Sequence, residues 1–267
     1  LYNLLVKDFL DRYSIFSKKL GNFQNQKNWT KNKFQVVITS YNSADWLPIT
    51  LERIEAAMDG KDWIMNFADD CSNDDTLKIV KKLSKNTNAK LYNIFEFDKA
   101  DSVGAAKNRI IKEALKYKDE YDGIFLSDAD DIFTKDRATY LPIAGKQYNV
   151  PILMGSWYYC RNSETEFKPA SLSMYQRTFG PWATLIHSSI MPDNGELFYS
   201  EASPYEDILL WDELFTYKIP IFAIDDVISC YYNAGDGTAS RIKDEEVKNK
   251  KWLNYQKLKH QLSSINV

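Results

Sequence analysis

Carboxylates dominate the chemistry this sequence could perform. Asp128-Ala129-Asp130-Asp131 directly follows the apolar run Gly123 to Ser127 (GIFLS), and Asp69 and Asp70 follow a second such run. Like charges this close are costly unless a cation lies between them. Hard divalent ions such as Mg2+ and Mn2+ prefer carboxylate oxygens and keep open positions for phosphate oxygens. In an extended segment Asp128 and Asp130 point the same way, so they form a candidate ligand pair for one metal. Asp-x-Asp alone equally suits a solvated turn or a helix cap. Its place directly after a buried strand favours the metal.

Other polar clusters also follow predicted strands. Thr39-Ser40-Tyr41-Asn42 offers hydroxyls and a ring on which a nucleotide base can stack. Within Asp69 to Thr76 (DDCSNDDT), Ser72 or Asn73 can cap a helix. That role leaves Asp69 and Asp70 to accept a hydrogen bond from a base N–H or a ribose hydroxyl. Gly104 to Asn108 (GAAKN) opens a helix with small residues and a cation, Lys107, which suits a pyrophosphate. Glu206-Asp207 begins another predicted helix, and a carboxylate there can serve as a general base toward a hydroxyl.

These residues need a scaffold that brings strand ends together. Runs at 34–39, 62–68, 90–97 and 123–127 read as strands, the first and last of buried type. Between them, 45–58, 74–85 and 103–117 have helical spacing. Alternation of this kind predicts an α/β fold, a mostly parallel sheet with helices on both faces, whose ligands sit at the carboxyl ends of the strands. The spacing also predicts a helix over 1–20, a polar connector over 21–33, strands at 151–159 and within 219–232, loop with some strand over 161–180, a helix over 204–217, and a helical tail over 241–262. The expected organisation is an N-terminal extension (1–33), an α/β domain (34–240) and a C-terminal helix (241–267). Within the domain, 34–131 holds the regular alternation and 132–240 is the less regular second half.

Composition narrows the class. The 267 residues are 44% hydrophobic and 27% charged, with net charge -3, as in an ordinary soluble globular protein. Nothing in that balance calls for nucleic acid. Two histidines exclude a multi-histidine zinc site, so a metal would be held mainly by oxygen. Three dispersed cysteines form no disulfide framework and suit a reducing compartment. No apolar run reaches the ~20 residues of a spanning helix. The expected location is cytoplasmic. The tail, with aromatic residues among lysines, is compatible with peripheral contact at the inner membrane face. A chain that opens at Leu1 reads as a piece of a longer protein.

Taken in order, the clusters resemble glycosyltransferase family 2, whose fold is GT-A. VVITSYNSADWLPITL is similar to the family's opening strand and T/S-Y-N. ADDCSNDDT resembles its D-D-x-S-x-D-x-T, with Cys71 where glycine or another small residue is usual. VGAAKNR resembles G-x-x-x-A-R-N with Lys107 for arginine, and FLSDADD resembles F-L-D-x-D-D. PWATLIH…SPYEDILLW resembles the later P-W and Y-E-D segments. The resemblance covers residues 34 to about 215.

The resemblance implies a nucleotide-sugar donor, with a uracil base, and a glycan or glycolipid acceptor. It implies Thr39, Tyr41 and Asn42 around base and ribose, Asp70 on the base with Asp69 as second candidate, and Lys107 near the phosphates. Asp128 and Ala129 would meet the ribose side, and Asp130 with Asp128 the metal, Mn2+ or Mg2+. Asp131 and Trp182 would line the sugar and acceptor side. Asp207, with Glu206 beside it, would be the catalytic base of an inverting transfer. Where many members carry a histidine near the last strand, this chain has YYNAGDGTASR, with Asn233 and Asp236 as candidates for that place. Three other readings compete. A nucleotidyltransferase would need a glycine-rich loop after the first strand, and ITSYNSADWLP has no glycine. A non-catalytic nucleotide-sugar or glycan-binding module of a larger glycan-synthesis protein would be expected to lose the acids. A membrane-surface scaffold rests on the tail alone.

Overall fold

The computed structural model describes residues 2–160, 167–169, 183–193, 196–199, 201 and 206–233. Trp182, Asp236 and the predicted helices' residues 204–205 and 241–262 therefore lie outside the described residues, as do the side chain of Asn233 and most of the 161–180 loop.

Helix α1 (Tyr2–Gln24) precedes strand β1 (Lys33–Ser40), helix α2 (Leu47–Met58) and strand β2 (Asp62–Asp70). Then come α3 (Thr76–Leu83), β3 (Leu91–Phe97), α4 (Val103–Ala114), β4 (Gly123–Asp128), β5 (Ile132–Phe133) and α5 (Lys135–Tyr148). The second half supplies β6 (Ile152–Cys160), β7 (Phe167–Pro169), β8 (Thr184–His187), α6 (Glu206–Thr216) and β9 (Ile221–Asn233). One sheet runs in the order β3-β2-β1-β4-β8-β6-β9-β5, with β7 beside β6.

The four strands read from the first half lie side by side and parallel, so their carboxyl ends form one edge. A polar ladder, partly exposed only at Asn93, helps to fix the register of β1, β2 and β3. Asn93 Nδ2 donates to Asn66 Oδ1 at 2.9 Å, and Asn66 Nδ2 to Gln35 Oε1 at 2.9 Å. A one-residue slip would turn these amides to the other face. Helix α4 packs on β1 and β2, and α2 on α3 and α5. Strand β8 enters antiparallel between β4 and β6, which joins the two halves into a continuous sheet.

The N-terminal segment is part of this core. Arg12 forms a buried ion pair with Glu213 on α6, and its guanidinium donates to the Phe198 carbonyl at 2.9 Å. Phe16 stacks on Tyr217, with ring centroids 5.7 Å apart. The stretch read as a polar connector begins later than expected, because α1 continues to Gln24. Within it Trp29 is buried at 2% exposure, wedged where Cβ atoms on Gly123 and Gly145 would lie 2.9 and 2.7 Å from its ring. No helix among the described residues is long and apolar enough to cross a membrane.

Candidate functional site

At the carboxyl ends of β1 and β2 two loops lock together. The Asn42 N–H donates to Ser72 Oγ at 2.9 Å, and the Asn73 N–H returns a bond to Asn42 Oδ1 at 2.9 Å. The Ser43 N–H reaches Thr76 Oγ1 at 2.8 Å. Asn42 and Cys71 both have left-handed backbone, at φ 50° and 63°. That conformation accounts for the glycine usual at Cys71's place, since a Cβ there is strained.

Strand alternation separates the two adjacent aspartates. Asp69 turns into its own loop and accepts from the Ser72 N–H at 2.9 Å. Asp70 accepts from the Ala100 N–H at 2.9 Å and pairs with Lys99 at 2.7 Å. The same Lys99 ammonium lies 3.1 Å above the centre of the Tyr41 ring. Tyr41 and Asp70 thus meet around one cation.

Strand β4 carries Asp128 opposite Thr39 in register. The acidic run that follows is not extended. The Asp131 N–H bonds back to the Asp128 carbonyl at 3.3 Å and closes a turn. The period-of-two argument for Asp128 and Asp130 therefore does not apply to this backbone. Burial still alternates along the turn: Asp128 and Asp130 are partly exposed, while Ala129 and Asp131 are buried. Asp131, expected on the sugar side, is 1% exposed.

Lys107 links the two halves of the site. Ser102 caps α4 by accepting from the Ala105 N–H at 3.1 Å, and the small residues Gly104 and Ala106 are buried on that helix. From its first turns Lys107 extends its ammonium to 3.0 Å from Glu206 Oε1 and 3.7 Å from Asp128 Oδ1. Burial pulls its pKa down, but the carboxylates of Asp128, Glu206 and Asp207, with Tyr199, outweigh burial and hold it well above an ordinary lysine. The ammonium is thus a fixed positive charge. Glu206 is 6% exposed, whereas Asp207 beside it is partly open.

Tyr199 belongs to none of the sequence motifs, yet it lies at the site. It is 1% exposed, with Lys107's ammonium 5.3 Å from its ring centre. Its segment is clamped by Asn108, whose Oδ1 accepts from the Tyr199 N–H and whose Nδ2 donates to the Tyr199 carbonyl, both at 2.9 Å. Burial raises its phenol pKa strongly, so the phenol stays protonated. The only available signal was a tyrosine near Glu206 in sequence. With Thr39, Ser127, Lys107 and Asp128 it lines a small cavity of about 20 Å3, room for one water-sized group. That volume cannot enclose a nucleotide, which could reach only the rim of the cavity.

No group of three potential metal ligands converges among the described residues. Asp128 and Asp130, both partly exposed on one turn, are the two carboxylates that could face one ion. That donor set fits a Mg2+ or Mn2+ completed by phosphate oxygens and water, as Mg2+ sites commonly are.

The sequence model of glycosyl transferase family 2 matches residues 35–200. The chain belongs to glycosyl transferase family 2. A comparison with curated proteins finds no match. Among solved structures, S. aureus TarS 1-349 in complex with UDP-GlcNAc superposes with a TM-score of 0.62 at 20% identity, covering 79% of this chain and 61% of that one. The same protein in complex with UDP gives 0.65 at 17% identity, over 88% and 67%. The mannosyltransferase PcManGT from Pyrobaculum calidifontis, in complex with GDP-Man and Mn2+, gives 0.55 at 12% identity, over 86% and 67%. At these identities the likeness concerns the fold. This family 2 chain has the GT-A fold that its motifs imply. It spans about three fifths of the first TarS structure.

Proposed function

We propose that this chain transfers a hexose or N-acetylhexosamine, with inversion, from a UDP-sugar to a hydroxyl of a glycan or glycolipid. The observation that carries this reading is the Lys107 hub. One ammonium ties Asp128, on the nucleotide half, to Glu206 on the helix that presents Asp207. Tyr41 and Asp70 would hold the base, with Thr39, Asn42 and Asp128 toward the ribose. Asp69 would act by shaping its loop.

In the transfer, Asp207 would take the proton from the acceptor hydroxyl as its oxygen attacks the anomeric carbon. The bond from that carbon to the diphosphate breaks, and the nucleoside diphosphate leaves with the electron pair. Burial and the bond to Lys107 commit Glu206 to position, which leaves Asp207 as the more accessible base. Lys107's charge favours the diphosphate at the rim electrostatically. A Mg2+ or Mn2+ held by Asp130 and Asp128 would supply further neutralisation of the leaving group when bound.

Calorimetric titration of UDP and GDP, with and without Mn2+, tests the donor site. Wild type should bind UDP more tightly with Mn2+, and Asp130→Ala should lose the Mn2+ increment. A folded wild-type protein that binds neither nucleotide would sink the donor-site assignment. Tight GDP binding without UDP binding would keep the family chemistry and overturn the choice of base.

A further inference from the structure

Lys99 belongs to none of the motifs that suggested a function, yet its ammonium sits where they converge. It is 2.7 Å from Asp70 Oδ2 and 3.1 Å from the centre of the Tyr41 ring. A base that stacks on Tyr41 while donating a ring N–H to Asp70 must make these same two contacts. Lys99 therefore holds the base's place. Its side chain is 50% exposed, and that of Asp70 only 8%. The lysine can swing aside, whereas Asp70 is fixed by the Ala100 N–H at 2.9 Å.

We propose that Lys99 is a base-reading residue of the donor site, an assignment that rests on the UDP-sugar reading above. When the base arrives, the ammonium slides off the ring face but stays beside Asp70. There it donates to the carbonyl oxygen next to the ring N–H that Asp70 accepts. An ammonium offers only donors and an ionised carboxylate only acceptors. The pair is thus complementary to a ring N–H flanked by a carbonyl. Uracil has a carbonyl on both sides of its N3–H, so it satisfies the pair whichever side Lys99 approaches. Guanine satisfies it in one orientation only, since its N1–H has a carbonyl on one side and an amino group on the other. Cytosine presents a bare ring nitrogen to Asp70, and adenine has no carbonyl.

The test is calorimetric titration of UDP, CDP and the base-free ligand ribose 5-diphosphate into wild type, Lys99→Met and Lys99→Arg, each checked for folding by circular dichroism. Methionine keeps much of the stem without the charge, and arginine keeps the donor. Lys99→Met should weaken UDP about tenfold, the low end for a hydrogen bond to a charged group because the site is half exposed. It should leave ribose 5-diphosphate unchanged, and Lys99→Arg should stay within about threefold of wild type for UDP. Equal weakening of the base-free ligand would place Lys99 on the phosphates and overturn the assignment. Tighter UDP binding by Lys99→Met would make Lys99 a mere competitor and also overturn it. Wild type that binds CDP as well as UDP would remove the base-reading role of the pair. Failure of wild type to bind UDP at all would instead refute the donor site itself.

Discussion

Replacing Lys107 with Met removes one charge and keeps most of the apolar stem. In the native protein Lys107 is 9% exposed, and its main partner Glu206 is 6% exposed, 3.0 Å from the ammonium. Removing one member of a buried ion pair costs about 3–5 kcal/mol, because the remaining charge is left without compensation. Asp128 adds little to this figure. Its side chain is 29% exposed and its oxygen 3.7 Å from the ammonium, and exposed pairs contribute only about 0–1 kcal/mol. The expected loss for Lys107→Met is therefore about 3 kcal/mol, toward the lower end because water reaches the Asp128 side. Glu206→Gln alone should cost less, about 1–3 kcal/mol, since an amide keeps one acceptor for the ammonium. The double variant leaves no unpaired buried charge, since Asp128 is partly exposed, so it should lose clearly less than the sum, with a coupling of about 2 kcal/mol. Urea unfolding followed by fluorescence of the seven tryptophans reads these differences as shifts in midpoint at constant slope. Additive single variants, or a Lys107→Met loss below about 1 kcal/mol, would refute a buried hub.

Two further outcomes follow from other groups. His187 is packed against Trp29, with ring centroids 4.7 Å apart, and burial lowers its pKa from 6.5 to about 4, Asp122 opposing and Lys31 adding to the shift. Between these values the unfolded chain binds the proton and the folded one does not. Stability is thus complete above pH 6.5 and falls as pH drops toward 4, by about 3 kcal/mol in all at about 1.4 kcal/mol per unit. Urea midpoints between pH 7.5 and 4.5 should show a shallower slope for His187→Gln than for wild type, and equal slopes would exclude His187 as the cause. Asp207→Asn should reduce sugar transfer by about 10²–10⁴ while UDP affinity stays within about threefold, as for loss of a general base. Near wild-type turnover of that variant would transfer the role to another residue.

The parts of the site that could be read in advance are those whose signals are local. Each of the first four strands announces itself by a run such as FQVVIT or GIFLS, and the acids at 69–70 and 128–131 follow directly. The strands are parallel, so their ends had to meet at one edge. Helix α5 gave no such signal, because Pro142 and Gly145 interrupt it and its apolar face is defined only by what it packs on. Trp29 sat in a polar stretch and was read as connector. It is buried because Gly123 and Gly145 leave room for its ring, and those glycines lie about a hundred residues further on.

Sequence by itself determined the alternation of elements, the carboxylates at the strand ends and hence the family. Only the tertiary structure decided how those groups divide their labour. It turned Asp69 into its loop and Asp70 toward Tyr41 and Lys99, curled Asp128 to Asp131 into a turn, and buried Asp131. It also brought Lys107 to Glu206, 99 positions apart, and Arg12 to Glu213, 201 apart. Periodicity and turn chemistry act over a few residues and are written in the local sequence. Pairing of buried charges depends on which surfaces the packed core brings together, and on the low-dielectric surroundings that make an unpaired charge there too costly to leave.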